Sequence, residues 1–194
     1  MKRLTRMSAI FLFAGLSSCS SVNSVAPLDQ QQIANLLDEN SVSFHAKEKI
    51  AFDLPQPSYW QKLDLSSNHR GTPVAYIPRH ENLGNWSERI NTYIGSYALQ
   101  PNLTLAQTIQ MIAKRASNHC EHADTETFDE TKSSMMYRIN MTNCEQHENQ
   151  VEIGKAMKGT DAIYILRYTA VMSRVSSKRV DEMHAVIQNA KLAK

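Results

Sequence analysis

Two cysteines, each with a histidine close beside it, are the residues in this sequence best suited to chemistry. Cys120 and His122 lie two residues apart, and Cys144 and His147 lie three apart. Two thiolates and two imidazoles can hold Zn²⁺ in tetrahedral geometry. A pair of cysteines in a chain exported from the cytoplasm more often forms a disulfide, because the compartment outside the cytoplasm is oxidising. We therefore favour a Cys120–Cys144 bridge, with the zinc site at Cys120, His122, Cys144 and His147, or free thiols, as the alternatives.

The histidines offer a second chemistry. His119 stands next to Cys120, and together with His122 and His147 it could change charge near pH 6 or bind a small ligand. The aromatic residues Trp86, Tyr93 and Tyr97 recur at helical spacing, which is typical of a core face. They are also the candidate binding surface for a peptide or glycan.

Motifs of common enzymes are broken in this sequence. His80-Glu81 and His147-Glu148 lack the second histidine that a zinc protease needs four residues after the first. Gly154 and Gly159 have phosphate-loop spacing but are followed by Thr160-Asp161 rather than by Lys and Ser or Thr. No G-x-S-x-G nucleophile elbow occurs. We therefore expect a protein that is not an enzyme and that uses no cofactor.

The first residues have the pattern of an export signal. Three basic residues within positions 2 to 6 precede the apolar run Met7 to Leu16, which is too short to span a bilayer as a helix. Leu16-Ser17-Ser18-Cys19 resembles a bacterial lipobox. That resemblance implies cleavage before Cys19, acylation of this cysteine with diacylglycerol and palmitate, and, with Ser20 following, delivery to the outer membrane.

This signal divides the chain into three predicted parts: a signal peptide over 1–18, a lipidated tether with a short helix over 19–40, and one α+β domain over 41–194. Cleavage would remove three of the 21 basic residues and none of the 19 acidic ones, leaving 18 − 19 = −1. A nearly neutral body lacks the positive field that nucleic-acid binding requires. We expect no nucleic-acid partner.

Hydrophobic periodicity predicts the order β-β-α-α-β-β-β-α for the body. The predicted elements are, in order, strand signal in Ser41–Leu54, a hairpin of Tyr59–Leu65 with Thr72–Ile77, a helix from Asn85 to Tyr97, a helix after the capping box Thr104/Gln107, strands around Met135–Met141, Val151–Ile153 and Ile163–Val171, and a helix over Ser177–Ala193. The acidic segment Glu121–Glu130 is predicted to be a solvated loop. Strand 163–171 is apolar on both faces, so it should lie at the centre of an antiparallel sheet flanked by helices.

The order of these elements, with Tyr76-Ile77-Pro78 before the apparent helix start at Trp86 and Glu88, resembles the Mog1/PsbP-type fold. The resemblance covers about Tyr59 to Leu192 and implies binding or assembly roles without a shared catalytic set.

We therefore predict an outer-membrane lipoprotein with its domain in the periplasm, binding envelope proteins without catalysis, plausibly within a trans-envelope complex such as a secretion system. The alternatives are a carrier of a small ligand or metal that uses His119, His122 and His147, and a module that binds the cell wall.

Overall fold

The computed structural model describes residues 46–64, 74–97, 101–145 and 149–194. The predictions for the signal peptide, the lipidated Cys19, the tether and the helix at 28–40 lie outside these residues, as does His147. Everything described belongs to one compact unit that begins at Glu39. The division into three parts stays a prediction.

The unit is an α+β fold built on a large antiparallel sheet, as predicted. Its elements are β1 (Lys49–Ala51), a 3-10 turn (Pro57–Tyr59), β2 (Trp60–Asp64), β3 (Val74–Pro78), β4 (Glu88–Ser96), α1 (Leu105–Ser117), β5 (Cys120–Phe128), β6 (Ser134–Cys144), β7 (Asn149–Lys158), β8 (Ala162–Val171), α2 (Ser177–Asn189) and β9 (Lys191–Ala193). Seven strands form the main sheet in the order β2-β3-β4-β8-β7-β6-β5, and β1 pairs with β9 in a separate ladder.

β8 is the central strand of the main sheet, with β4 on one side and β7 on the other. Nine of its ten residues are buried because a helix covers each face. On one face Tyr164, Leu166 and Tyr168 pack with α2. On the other face Ile163 and Ile165 pack with α1. The prediction of a strand apolar on both sides at the centre of the sheet is confirmed.

The predicted helix from Asn85 to Tyr97 is wrong, because this segment forms strand β4. Ile90, Thr92 and Ile94 are β-branched residues that suit a strand, and β4 pairs with β8 over nine consecutive residues. The apparent helix start at Asn85 arose from Glu88, whose carboxylate instead accepts hydrogen bonds from Tyr168 and Arg179.

The acidic segment is also a strand rather than a loop. Its residues from Cys120 to Phe128 form β5, which pairs with β6 at the edge of the sheet. Most of its side chains are exposed. Charged side chains suit an edge strand because they discourage pairing with a second sheet.

Helix α1 begins as the sequence predicts. The Thr104 hydroxyl accepts a hydrogen bond from the Gln107 N–H, and the Gln107 side-chain oxygen accepts one from the Thr104 N–H. These bonds satisfy two donors that a helix start would otherwise leave unpaired.

Helix α2 ends earlier than predicted. Ala190 adopts an extended backbone, and the chain continues as β9, where Leu192 pairs with Ile50 of β1 and both pack on the core.

The start of the unit is held by the turn between β7 and β8. The Lys47 N–H donates to Asp161 at 2.9 Å, and Glu48 accepts from the Thr160 N–H at 2.8 Å. This turn, which contains Gly159, Thr160 and Asp161, therefore binds the first described residues.

Candidate functional site

Helix α1 covers only part of its face of the main sheet, and beyond its C-terminal end the sheet lines a groove of about 360 Å³. We call this space the basic groove. Its lining residues come from β4, α1, β5, β6, β7 and β8, and from positions flanking these elements. They are Trp86, Arg89, Tyr93, Ile112, Arg115, Ala116, His119, Cys120, Met141, Cys144, Glu145, Gln150, Glu152, Arg167 and Thr169.

A buried ion pair forms the floor of the basic groove. Glu152 of β7 and Arg167 of β8 lie 3.5 Å apart, with only 7% and 12% of their side chains exposed. The Tyr137 hydroxyl donates to Glu152 at 2.8 Å, and the Thr169 hydroxyl donates to it at 3.3 Å. Because buried polar groups must find partners, these bonds hold the Glu152 carboxylate in one orientation.

Tyr93 completes this network from β4. The Arg167 guanidinium donates to the Tyr93 hydroxyl at 3.0 Å and lies 4.5 Å from the centre of the Tyr93 ring. Burial lowers the pKa of Arg167, but the nearby Glu152 and Tyr93 outweigh it, so that the net shift of this pKa is upward. Burial and the Glu152 charge together raise the pKa of Tyr137. Arg167 therefore carries its positive charge under all ordinary conditions.

Arg89 adds a second, partly buried cation beside the first. Its guanidinium stacks over the Trp86 indole at 4.3 Å. Its Nε is buried and finds no hydrogen-bond partner among the described residues. Burial lowers the pKa of Arg89, and repulsion by Arg167 lowers it further. The chain thus holds two guanidinium groups close together although their charges repel.

The rim of the basic groove is polar and includes the disulfide. Cys120 and Cys144 lie opposite each other on β5 and β6 and are bonded, in agreement with the sequence prediction. Their chain neighbours His119 and Glu145 pair at 3.1 Å and are both exposed. Arg115 stands on the last turn of α1. The disulfide fastens this rim to the sheet edge.

The zinc alternative is wrong for this structure, because zinc binding needs cysteine thiolates and the disulfide consumes both. No cluster of potential metal ligands occurs within the part of the chain that the structure describes.

His119 and His122, the two candidate histidines within the described ranges, do not share one site. His119 lines the basic groove, whereas His122 faces Glu121 on the exposed edge strand and does not line it. The small-ligand alternative, in so far as it requires His119 and His122 together, is not supported by this placement.

The three predicted aromatic residues are divided in the same way. Trp86 and Tyr93 line the basic groove, although Trp86 is almost fully buried. Tyr97 does not line it and packs against the α1 side of the core.

Sequence reasoning missed Arg89 and Glu152 as site residues. A signal for Glu152 was present, since it stands between the apolar residues Val151 and Ile153 of a buried strand. A charged side chain in such a run must be paired and is a marker of a site. Arg89 had no comparable signal because its strand was taken for a helix.

No protein-family model and no curated protein matches this chain. Solved structures resemble it at a distance, among them the following two. One is a crystal structure of LpqN, described as involved in cell envelope biogenesis of Mycobacterium tuberculosis, with a TM-score of 0.48 and 10% identity, covering 76% of this chain and 85% of that one. The other is the solution structure of cyanobacterial PsbP (CyanoP) from Synechocystis sp. PCC 6803, with a TM-score of 0.48 and 12% identity, covering 77% of this chain and 95% of that one. Neither likeness is close enough to assign an activity or a partner.

The helices in the described ranges are all too short or too polar to cross a lipid bilayer.

Proposed function

We propose that this protein is a lipid-anchored, non-enzymatic binding protein of the bacterial envelope, and that a partner protein occupies the basic groove. The lipobox-like Leu16-Ser17-Ser18-Cys19 supports attachment through Cys19, and Ser20 supports the outer membrane as the destination. The domain then faces the periplasm and serves as a subunit of a trans-envelope complex such as a secretion system.

One observation carries the binding role: the sheet face that α1 leaves uncovered is lined by buried charged side chains held in fixed positions. Tyr137, Thr169 and Arg167 already engage the Glu152 carboxylate. The arrangement therefore supplies a rigid, charged surface rather than a group poised to move protons. A preorganised surface of this kind lowers the entropic cost of association.

The anchor is tested by mass spectrometry of the full chain purified from bacterial membranes. We expect loss of residues 1–18 and the added mass of acyl chains on Cys19. The Cys19→Ser variant should carry no acyl chains and leave the membrane fraction. A wild-type protein with an unmodified Cys19 would overturn the lipoprotein assignment.

The binding surface is tested by photo-crosslinking in living cells. A benzophenone amino acid replaces His119, which lines the basic groove, or His122, which is equally exposed on the same edge of the domain but lies outside the groove. We expect one envelope protein to be crosslinked from position 119 and not from position 122. Equal crosslinking from both positions, or none from position 119 with the protein correctly anchored, would contradict the proposal.

A further inference from the structure

Three arginines from different elements meet at the basic groove. Arg89 comes from β4, Arg167 from β8 and Arg115 from the last turn of α1. Arg167 and Arg115 both act on the charge of Arg89, and each lowers its pKa through repulsion. Placing three cations within reach of one another costs free energy, unless an anion shared by them offsets the repulsion.

The positive charges are unequally compensated. The Nε of Arg167 is buried without an acceptor among the described residues, like that of Arg89, but the other nitrogens of Arg167 have Glu152 at 3.5 Å and Tyr93 at 3.0 Å. Arg89 has no carboxylate in an ion pair within the described ranges, and its buried Nε donates to no acceptor there. A buried donor without an acceptor is unfavourable. Arg89 is therefore the group that a bound anion would satisfy.

The net charge of the lining indicates what kind of anion fits. Three arginines and the two acids Glu145 and Glu152 give 3 − 2 = +1 with His119 neutral. A group of charge −1 balances this lining, whereas a phosphate monoester at neutral pH carries about −1.5 to −2. The exposed Glu145 on the rim would also repel an excess of negative charge.

The walls of the groove complement such a group. Ile112, Ala116 and Met141 form apolar surface beside the disulfide. A short aliphatic stem ending in a planar anion would contact apolar atoms and a guanidinium at once. Guanidinium groups match carboxylates particularly well because two parallel hydrogen bonds can form.

We propose that the basic groove binds a carboxylate group of the partner, an acidic side chain or a chain terminus, through Arg89 with Arg115 at the rim. This inference rests on the proposed function, since it takes the groove to be the surface that the partner occupies. Arg167 holds the floor of the groove through its ion pair with Glu152.

The test is a titration of the full lipidated chain in detergent micelles with sodium acetate, followed by the side-chain Nε–H signals of arginine in NMR spectra. Sodium chloride at the same ionic strength is the reference. We expect a saturable shift of the Arg89 signal. The Arg138 signal should stay unchanged, because its Nε–H already donates to Asn140 at 3.1 Å outside the groove.

Two variants sharpen this test. Arg115→Gln should weaken acetate binding about ten-fold, as expected for loss of one charge-assisted contact. In Arg89→Gln the Arg167 signal serves as the reporter and should no longer respond. Unchanged amide spectra elsewhere would show that both variants remain folded.

The outcomes separate this inference from the function on which it rests. Saturable binding of inorganic phosphate with no response to acetate would overturn the carboxylate assignment. No response to either anion would overturn the anion site itself. The crosslink from position 119 is measured independently, so the groove can fail as an anion site and still be the binding surface.

Discussion

Glu152 is the residue on which the floor of the basic groove depends. It is buried between β6 and β8 and receives hydrogen bonds from Tyr137 and Thr169 in addition to the Arg167 ion pair. A buried pair of this kind contributes little net stability when intact but costs much when one partner is removed. Its role is to position Arg167 and Tyr137 rather than to stabilise the fold.

Replacing Glu152 by alanine should destabilise the unit by about 3–5 kcal/mol, because Arg167 would be left buried without its counter-charge. Urea unfolding of the full chain measures this change. The matched control is Asp64→Ala, which removes an exposed ion pair with Lys62 and should cost less than about 1 kcal/mol. Similar losses in the two variants would show that the Glu152–Arg167 pair is as well solvated as a surface pair.

Gly154 is a second single residue on which the floor of the basic groove depends. It lies directly opposite Tyr137, whose ring crosses over it so closely that a Cβ could not fit. Gly154→Ala should therefore displace the Tyr137 ring, break its hydrogen bond to Glu152 and cost about 1–3 kcal/mol. Gly95→Ala in β4 is the control, since its Cβ would meet Leu103 at an ordinary 3.5 Å. The unfolding midpoints of the two variants test this prediction. Equal midpoints would contradict the close packing of the Tyr137 ring on Gly154.

At the level of elements, the sequence predicted helices α1 and α2, the β2–β3 hairpin and strands β6 to β8. Periodicity and capping are local properties, and in these segments they agree with the fold. They failed at β4, where Trp86, Ile90 and Tyr93 mimic helical spacing although Ile90 and Tyr93 face opposite sides of the sheet. Pairing with β8 outweighs the local pattern. Because β8 lies far along the chain from β4, a short stretch of sequence around β4 cannot show this pairing.

The basic groove was predictable only in part, for the same reason. Its lining comes from segments far apart in the chain, and it depends on β4 being a strand. The disulfide rim could be inferred from two cysteines in a chain that the sequence predicts to be exported. The neighbourhood of Arg89 and Arg167 could not, because it is created by the register of β4 on β8.

The capping box of α1 should stabilise the helix that forms one wall of the groove. Thr104→Ala removes the acceptor of the Gln107 N–H bond and should cost about 1 kcal/mol. Ser117→Ala at the other end of α1 is the control, because its hydroxyl only adds a bond to the Ala113 carbonyl. Thermal unfolding should show a lower midpoint for the first variant alone. A matching fall for Ser117→Ala would mean that the cap contributes nothing specific.

The disulfide joins the edge strand β5 to its neighbour β6 over a sequence separation of 24. The chain-entropy relation gives about 3.5 kcal/mol for a closed loop of this length. We expect the variant carrying both Cys120→Ser and Cys144→Ser to lose about 2–4 kcal/mol in urea unfolding. Reductant should lower the free energy of unfolding of the wild type by a similar amount. It should leave the unfolding midpoint of the variant unchanged. A wild-type midpoint indifferent to reductant would contradict the bridge.

At the scale of the whole molecule, the described unit is closed by a ladder between its first and last strands. β1 and β9 pair antiparallel, and Ile50 and Leu192 add apolar contacts with the core. A three-residue ladder is weak by itself, so those core contacts supply most of its stability.

Leu192→Ala should loosen this closure without unfolding the main sheet. We expect trypsin to cleave after Lys47 and Lys49 about ten-fold faster in this variant, since loss of about 1.4 kcal/mol raises the open fraction by that factor. Deletion of Lys194, which follows β9, should leave the cleavage rate unchanged. Equal rates for wild type and Leu192→Ala would show that the ladder does not depend on Leu192.

The pairing of Lys49 with Ala193 also brings the two ends of the described unit to one place. A segment carrying the proposed lipid, grafted after Lys194, would thus leave the described unit close to Lys49. Linking the two ends and opening the chain elsewhere would instead move both chain ends to a new corner of the described unit.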